Sequence, residues 1–171
     1  MIIISQLLDN KLRIAYFFAY FITVIISVII IHESAHFLAA LAIGVPFNEI
    51  KVGLIGTNPG ITIPERFSNA PLGIYHYAGG FLPALLLSFV YILWYRKYRK
   101  KPSNITWDYG TITISVIGMQ LAQGYVEGRF HAAYILYSGS PFNVLIIFEV
   151  VIVAFAIFIH YQLFPISRIN K

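Results

Sequence analysis

Four long apolar stretches constrain the fold of this chain more than any other feature of its sequence. They cover residues 12–43, 71–95, 109–137 and 141–164, and each can cross a hydrocarbon core, which takes roughly 20 helical residues. Charged residues make up only 11% of the 171 residues, whereas an ordinary soluble domain has about 25%. The sequence therefore predicts one all-α integral membrane domain (1–171) with about four transmembrane helices. It excludes a soluble enzyme, a disordered chain and a nucleic-acid partner.

The region 45–69, between the first two stretches, differs from them in its residue pattern. Residues 49–56 and 61–64 are typical of short strands, and Thr57-Asn-Pro-Gly60 has the chemistry of a turn. Gly44 and Pro46 are stop signals for the preceding helix. We therefore expect a β-hairpin between the first two helices.

The basic residues predict the orientation of the chain in a membrane. With four spans, one side carries both termini and the loop 96–107, and the other side carries the hairpin. The first side holds nine basic residues, namely Lys11, Arg13, Arg96, Lys97, Arg99, Lys100, Lys101, Arg168 and Lys171, whereas the second holds Lys51, Arg66 and Arg129. The positive-inside rule then predicts cytoplasmic termini. The chain lacks the basic n-region and cleavage site of a signal peptide, so we expect none.

One motif in the first stretch carries metal chemistry. In His32-Glu-Ser-Ala-His36, the two histidines stand four positions apart and share one face of a helix. Glu33 can hold a water on an ion that both imidazoles bind, which is the HExxH arrangement. Because the chain has no cysteine, further ligands must be His or carboxylate. Haem or copper is a rival use, but haem favours single axial histidines on facing helices.

Further ionisable residues lie at the depth of this motif if the stretches are helices. At about 1.5 Å per residue, His32, His36, Glu127 and His131 all fall near the outer boundary of the membrane. His76 lies just inside the second stretch, at a similar depth. A zinc site needs a third protein ligand, and the candidates are therefore Glu127, His131 and His76.

Glycines mark places where membrane helices approach each other closely. Gly79 and Gly80 follow His76, and we expect this pair to pack against the alanines of the first stretch, between 35 and 42. Gly124 and Gly128 bracket Glu127 and leave room for a kink or a close approach.

At these residues the chain resembles the site-2 protease family of intramembrane zinc metalloproteases. The likeness lies in the HExxH motif within a hydrophobic helix, in Ala78-Gly-Gly-Phe-Leu-Pro-Ala of the next stretch, and in Glu127-Gly128 of the third. It covers roughly residues 12–137, and only the first motif is specific. The family has an Asp-Gly at the third place, where this chain has Glu-Gly, and the chain is too short for a PDZ-like domain.

The resemblance implies an enzyme, a zinc metalloendopeptidase that hydrolyses peptide bonds of membrane-embedded substrates. It implies Zn²⁺ on His32, His36 and Glu127, with Glu33 as the catalytic base. His76, Gly79, Gly80 and His131 are then candidates for contacts with the substrate or for support of the ligands. The implied partners are a membrane-protein substrate and the lipid bilayer, and we expect the cell membrane of a prokaryote.

Two other classes of function stay open from the residues alone. One is a non-catalytic, metal-binding accessory subunit of a membrane complex, in which the partners are other proteins or further copies of this chain. The other is a metal or proton transporter that uses His76, Glu127 and His131 as a relay.

Overall fold

Helices make up most of the chain, and one two-stranded antiparallel sheet interrupts them. The computed structural model describes residues 2–55, 58–68, 73–100, 103–130 and 140–163. The elements are α1 (Ile2–Ala42), β1 (Lys51–Ile55), β2 (Asn58–Thr62), α2 (Glu65–Ser68), α3 (Ile74–Tyr98), α4 (Asn104–Phe130) and α5 (Ser140–Leu163). The predicted helical class and the hairpin are thus confirmed.

The end of α1 follows from its glycine. Gly44 has φ +87°, its N–H donates to the carbonyl of Leu41, and the N–H of Val45 donates to the carbonyl of Ala40, both at 3.0 Å. These two bonds form a Schellman motif, which satisfies carbonyls that the helix end would leave unpaired. Val45 and Ala40 are both buried in one apolar cluster, so the motif turns the chain directly toward the hairpin.

The start of α4 differs from the sequence expectation. The predicted loop ran through residue 107 and the third helix began near 109, whereas α4 begins at Asn104. Ser103 and Thr106 explain the earlier start, because the Thr106 N–H donates to Ser103 Oγ and the Ser103 N–H donates to Thr106 Oγ1. This reciprocal pairing caps the helix in the manner of a capping box.

The hairpin turn also differs from the expectation. The turn was predicted at 57–60, but β2 begins at Asn58, and its register pairs Ile55 with Asn58 and Leu54 with Pro59. Pro59 is tolerated in a strand here because both strands of a two-stranded sheet are edge strands, where a missing N–H need not break the ladder. The predicted turn residues Asn58, Pro59 and Gly60 therefore belong to β2, and residues 56–57 lie outside the described residues.

Helix α4 is central to the packing, since it contacts α3, α5 and α1. Its buried position allows it to carry polar residues that a lipid-facing helix could not. Within the described residues, two helical segments are long and apolar enough to cross a membrane, Lys11–Ala42 and Ile74–Tyr98. Four spans therefore stay a prediction.

Two polar contacts tie the far ends of the helices together. Arg13 of α1 binds Asp108 of α4 through both carboxylate oxygens, at 2.6 and 2.7 Å. The hydroxyl of Tyr91 in α3 lies 2.7 Å from Nδ1 of His160 in α5, and His160 is completely buried. These contacts fix the helix register at the end of the bundle that is remote from the HExxH motif.

Candidate metal centre

The two histidines of the HExxH motif point into the protein. His32 and His36 are 7% and 8% exposed, and their Nε2 atoms lie 3.2 Å apart. Both imidazoles stand on the face of α1 that α3 and α4 cover. Two nitrogen donors therefore meet at one point, as the i, i+4 spacing predicts.

Glu127 of α4 completes a cluster of three potential ligands. Its Oε2 lies 3.5 Å from the Nε2 atoms of both His32 and His36, and the residue is only 1% exposed. Oε2 accepts no hydrogen bond. A buried carboxylate oxygen without a partner is costly, and a cation bound between these three side chains would supply that partner. This is the group in the described part of the chain that could hold a metal ion.

The size of the cluster suits a small tetrahedral ion. Zinc binds His nitrogen and carboxylate oxygen at roughly 2.0–2.2 Å, and a tetrahedron with such bonds has edges of about 3.3–3.6 Å. The three separations between ligand atoms are 3.2, 3.5 and 3.5 Å. Among the described residues, three ligands lie at one face of a tetrahedron, and the fourth position is left for another ligand.

In both imidazole rings, the hydrogen bond of Nδ1 determines that Nε2 is the nitrogen free to bind a metal ion. Nδ1 of His36 lies 2.7 Å from the backbone carbonyl oxygen of Tyr75, and a carbonyl only accepts, so Nδ1 must donate. Nδ1 of His32 lies 3.2 Å from Oε1 of Gln120, which is likewise an acceptor. In the neutral rings each Nε2 then carries a lone pair toward the centre, which is the state a metal requires.

Two glutamines of α4 link His32 to the carboxylate of Glu127 through a chain of hydrogen bonds. Nε2 of Gln120 donates to Oε1 of Gln123 at 3.1 Å, and Nε2 of Gln123 donates to Oε1 of Glu127 at 2.9 Å. The sequence interpretation missed both glutamines. Their signal was present, because positions 120, 123 and 127 are three and four apart and share one helix face.

Glu33, the candidate base, lies between α1 and the hairpin. It is half-buried, and its carboxylate accepts a hydrogen bond from the backbone of Ile61 in β2. The hydroxyl of Tyr75 donates to the carbonyl of Ile61. Both backbone groups of Ile61 therefore face the helices, and the edge of β2 lies beside Glu33 and Tyr75.

Gly79 lies directly against the two histidines. A Cβ at this position would stand 2.7 Å from Nε2 of His32 and closer still to Nε2 of His36. Gly80 packs against the backbone of Gln120 and Gly124 in α4, so of the glycine pair expected to pack on α1 only Gly79 lies against that helix, at the histidines. The two glycines are adjacent on α3, so one faces α1 and the other faces α4.

The other candidate residues separate from the cluster. His76 is buried, and its ring lies 5.1 Å from that of Tyr75, but it is not one of the converging ligands. Gly128 makes room for the ring of Tyr77. His131 lies outside the described residues, so its role stays a prediction.

Comparison of the chain with protein-family models, with curated proteins and with solved structures finds no match.

Proposed function

We propose that this protein is an intramembrane zinc metalloprotease of the site-2 protease type. The observation that carries the proposal is the convergence of His32, His36 and Glu127 beside Glu33 in a chain with mean hydropathy +0.75. Two imidazoles and a carboxylate around an open position form a known set of ligands in zinc peptidases. The HExxH spacing adds a base on the same helix.

The donor set favours zinc over the other ions that imidazole and carboxylate bind. Haem would need axial histidines rather than a neighbouring pair. Magnesium and calcium prefer oxygen ligands. When bound, Zn²⁺ would act as a Lewis acid and would make a water nucleophilic at neutral pH.

The residues around the centre have separate roles in this proposal. Glu33 takes a proton from the attacking water and passes it to the nitrogen of the leaving amine. Gly79 offers no side chain, so the backbone of α3 can approach the two histidines and hold their rings in place. The hairpin lies beside Glu33 and offers strand backbone to a substrate segment that has unwound from its helix.

The proposal includes a membrane setting for the whole chain. Large apolar side chains face outward along the helices, and Ile30, Leu85 and Phe155 are 61%, 68% and 62% exposed. Lipid is the natural cover for such a surface. We propose four spans, cytoplasmic termini and the cell membrane of a prokaryote as the location, with membrane proteins as substrates.

Substitution of the base tests proteolysis directly. Glu33→Gln should keep the bound zinc and should lower cleavage of a helical transmembrane substrate in proteoliposomes by about 10²–10⁴-fold, the usual contribution of a positioned proton carrier. Glu149→Gln is the matched control, because Glu149 lies on α5 and is not among the converging ligands. It should cleave like the wild type.

Cleavage by Glu33→Gln at the wild-type rate would contradict the role of the base. A zinc-loaded wild type that cleaves no membrane substrate would instead favour the accessory subunit, since a structural site needs no base.

A further inference from the structure

The two glutamines of α4 join two ligand side chains that come from different helices. We infer that Gln120 and Gln123 are positioning residues that together fix the ring state of His32 and the free oxygen of Glu127. The inference rests on the proposed metal centre and goes beyond it, because it assigns a role to residues that bind no metal themselves.

The direction of this chain of hydrogen bonds follows from its carboxylate end. An ionised Glu127 only accepts, so Gln123 must turn its NH₂ group toward Oε1, as observed at 2.9 Å. The carbonyl oxygen of Gln123 then faces Gln120 and accepts from its NH₂ group at 3.1 Å. Gln120 is left with its carbonyl oxygen facing Nδ1 of His32 at 3.2 Å, and Nδ1 must donate.

One charge therefore sets the state of two ligands. An ionised Glu127 orients both amides, and the amides place the proton of His32 on Nδ1. The lone pair of Nε2 is then directed toward Oε2 of Glu127, 3.5 Å away. Reversal of either amide would set two donors or two acceptors face to face.

The chain also restricts how Glu127 can bind. Gln123 occupies Oε1, whereas Oε2 accepts no hydrogen bond. Glu127 is thus prepared to bind through one oxygen, and a monodentate carboxylate with two imidazoles leaves a tetrahedral ion with one open position. A bidentate carboxylate would fill that position.

Close packing of α3 on α4 keeps the side-chain amide of Gln120 away from water. Gln120 is 5% exposed, and the backbone of Gly80 lies against the backbone of this residue, whereas Gln123 is half-buried. Buried amide groups are stable only when they are hydrogen-bonded. The burial of Gln120 therefore supports its place in the chain of hydrogen bonds.

Zinc affinity of paired variants at Gln120 separates positioning from packing. Gln120→Met keeps the length of the side chain but removes the acceptor for His32, and it should weaken zinc binding by about 10–100-fold, as loss of a group that orients a ligand does. Both variants lose the donor to Gln123, but Gln120→Glu keeps the acceptor for Nδ1 of His32 and should bind zinc more tightly than Gln120→Met. Pure packing predicts the opposite order, because methionine fits an apolar site and a buried carboxylate does not.

The coordination of cobalt reports on Gln123. In Co²⁺-substituted protein, the wild type should give the strong visible absorption of a four-coordinate ion. Gln123→Met frees Oε1 of Glu127 to bind as well, so the absorption should weaken as the coordination number rises. Gln162→Met on α5 is the matched control for both experiments and should match the wild type, because Gln162 is exposed and remote from the cluster.

The outcomes distinguish this inference from the proposed metal centre. Each variant must first show wild-type helicity and thermal melting, and Gln120→Glu serves where Gln120→Met does not fold. Zinc affinities of the Gln120 variants in the predicted order, with the cobalt change in Gln123→Met, support the relay. Wild-type zinc affinity in Gln120→Met, or an unchanged cobalt spectrum in Gln123→Met, would overturn it while leaving the metal centre intact. A wild type that binds no metal would overturn both.

Discussion

A methyl group at position 79 should abolish metal binding without unfolding the protein. In Gly79→Ala, the new Cβ would stand 2.7 Å from Nε2 of His32, whereas ordinary contact begins at 3.4 Å. The deficit is 0.7 Å (3.4 minus 2.7), and it is larger at His36. Ligand distances in metal sites tolerate only about 0.2 Å. At least one ring must therefore leave its binding position.

The expected loss exceeds that of a supporting residue. Loss of a residue that orients a metal ligand costs about 10–100-fold in metal affinity. Displacement of a ligand itself should cost more than about 100-fold. Competition with a chromophoric chelator measures the zinc affinity, and circular dichroism checks that the helices remain. On its own, glycine-to-alanine substitution within a helix should add roughly 0.5–1 kcal/mol of stability.

Gly118→Ala supplies the control within a helix. A Cβ there would meet the side chain of Ile152 at 3.3 Å, which needs only a small adjustment far from the ligands. It should bind zinc like the wild type. Gly79→Ala with wild-type zinc affinity would refute the geometry of the site.

Two further predictions concern topology and stability. The chain has no cysteine, so a single cysteine introduced at Asn58 can be labelled specifically. It should react with an impermeant thiol reagent in intact cells, because the basic residues predict that the hairpin lies outside. Labelling only after lysis would show the opposite orientation. Asp108→Asn should destabilise the protein by about 1–3 kcal/mol, since it removes the charge from a bidentate contact with Arg13 that is part-exposed; an unchanged free energy of unfolding would show that the pair is dispensable.

The sequence predicted those parts of the fold that depend on local chemistry. Apolar length predicted the long helices, and Gly44 predicted where α1 ends. The i, i+4 spacing brought His32 and His36 to one face, and the count of residues along the helices put Glu127 at their depth. These features depend on helical rise and on backbone conformation, which a single chain segment determines.

Features that depend on neighbours could not be predicted. Pro59 and Gly60 are typical turn residues, but pairing with β1 places them in a strand. Gly80 could have packed on either neighbouring helix, and its contact with Gly124 is set by the packing of α3 on α4. The role of Gln120 could not be predicted because it depends on which face of α4 meets His32. The periodicity of a sequence does not show which helix covers a given face.

The metal content of the purified protein tests the central claim most directly. Elemental analysis of protein purified without chelator should find about one zinc per chain, and Glu127→Gln should lose it, whereas His76→Ala should keep it because His76 is not among the converging ligands. Retention of zinc by Glu127→Gln, with loss in His76→Ala or His131→Ala, would identify another third ligand. A wild type that carries haem iron, copper or no metal would contradict the account.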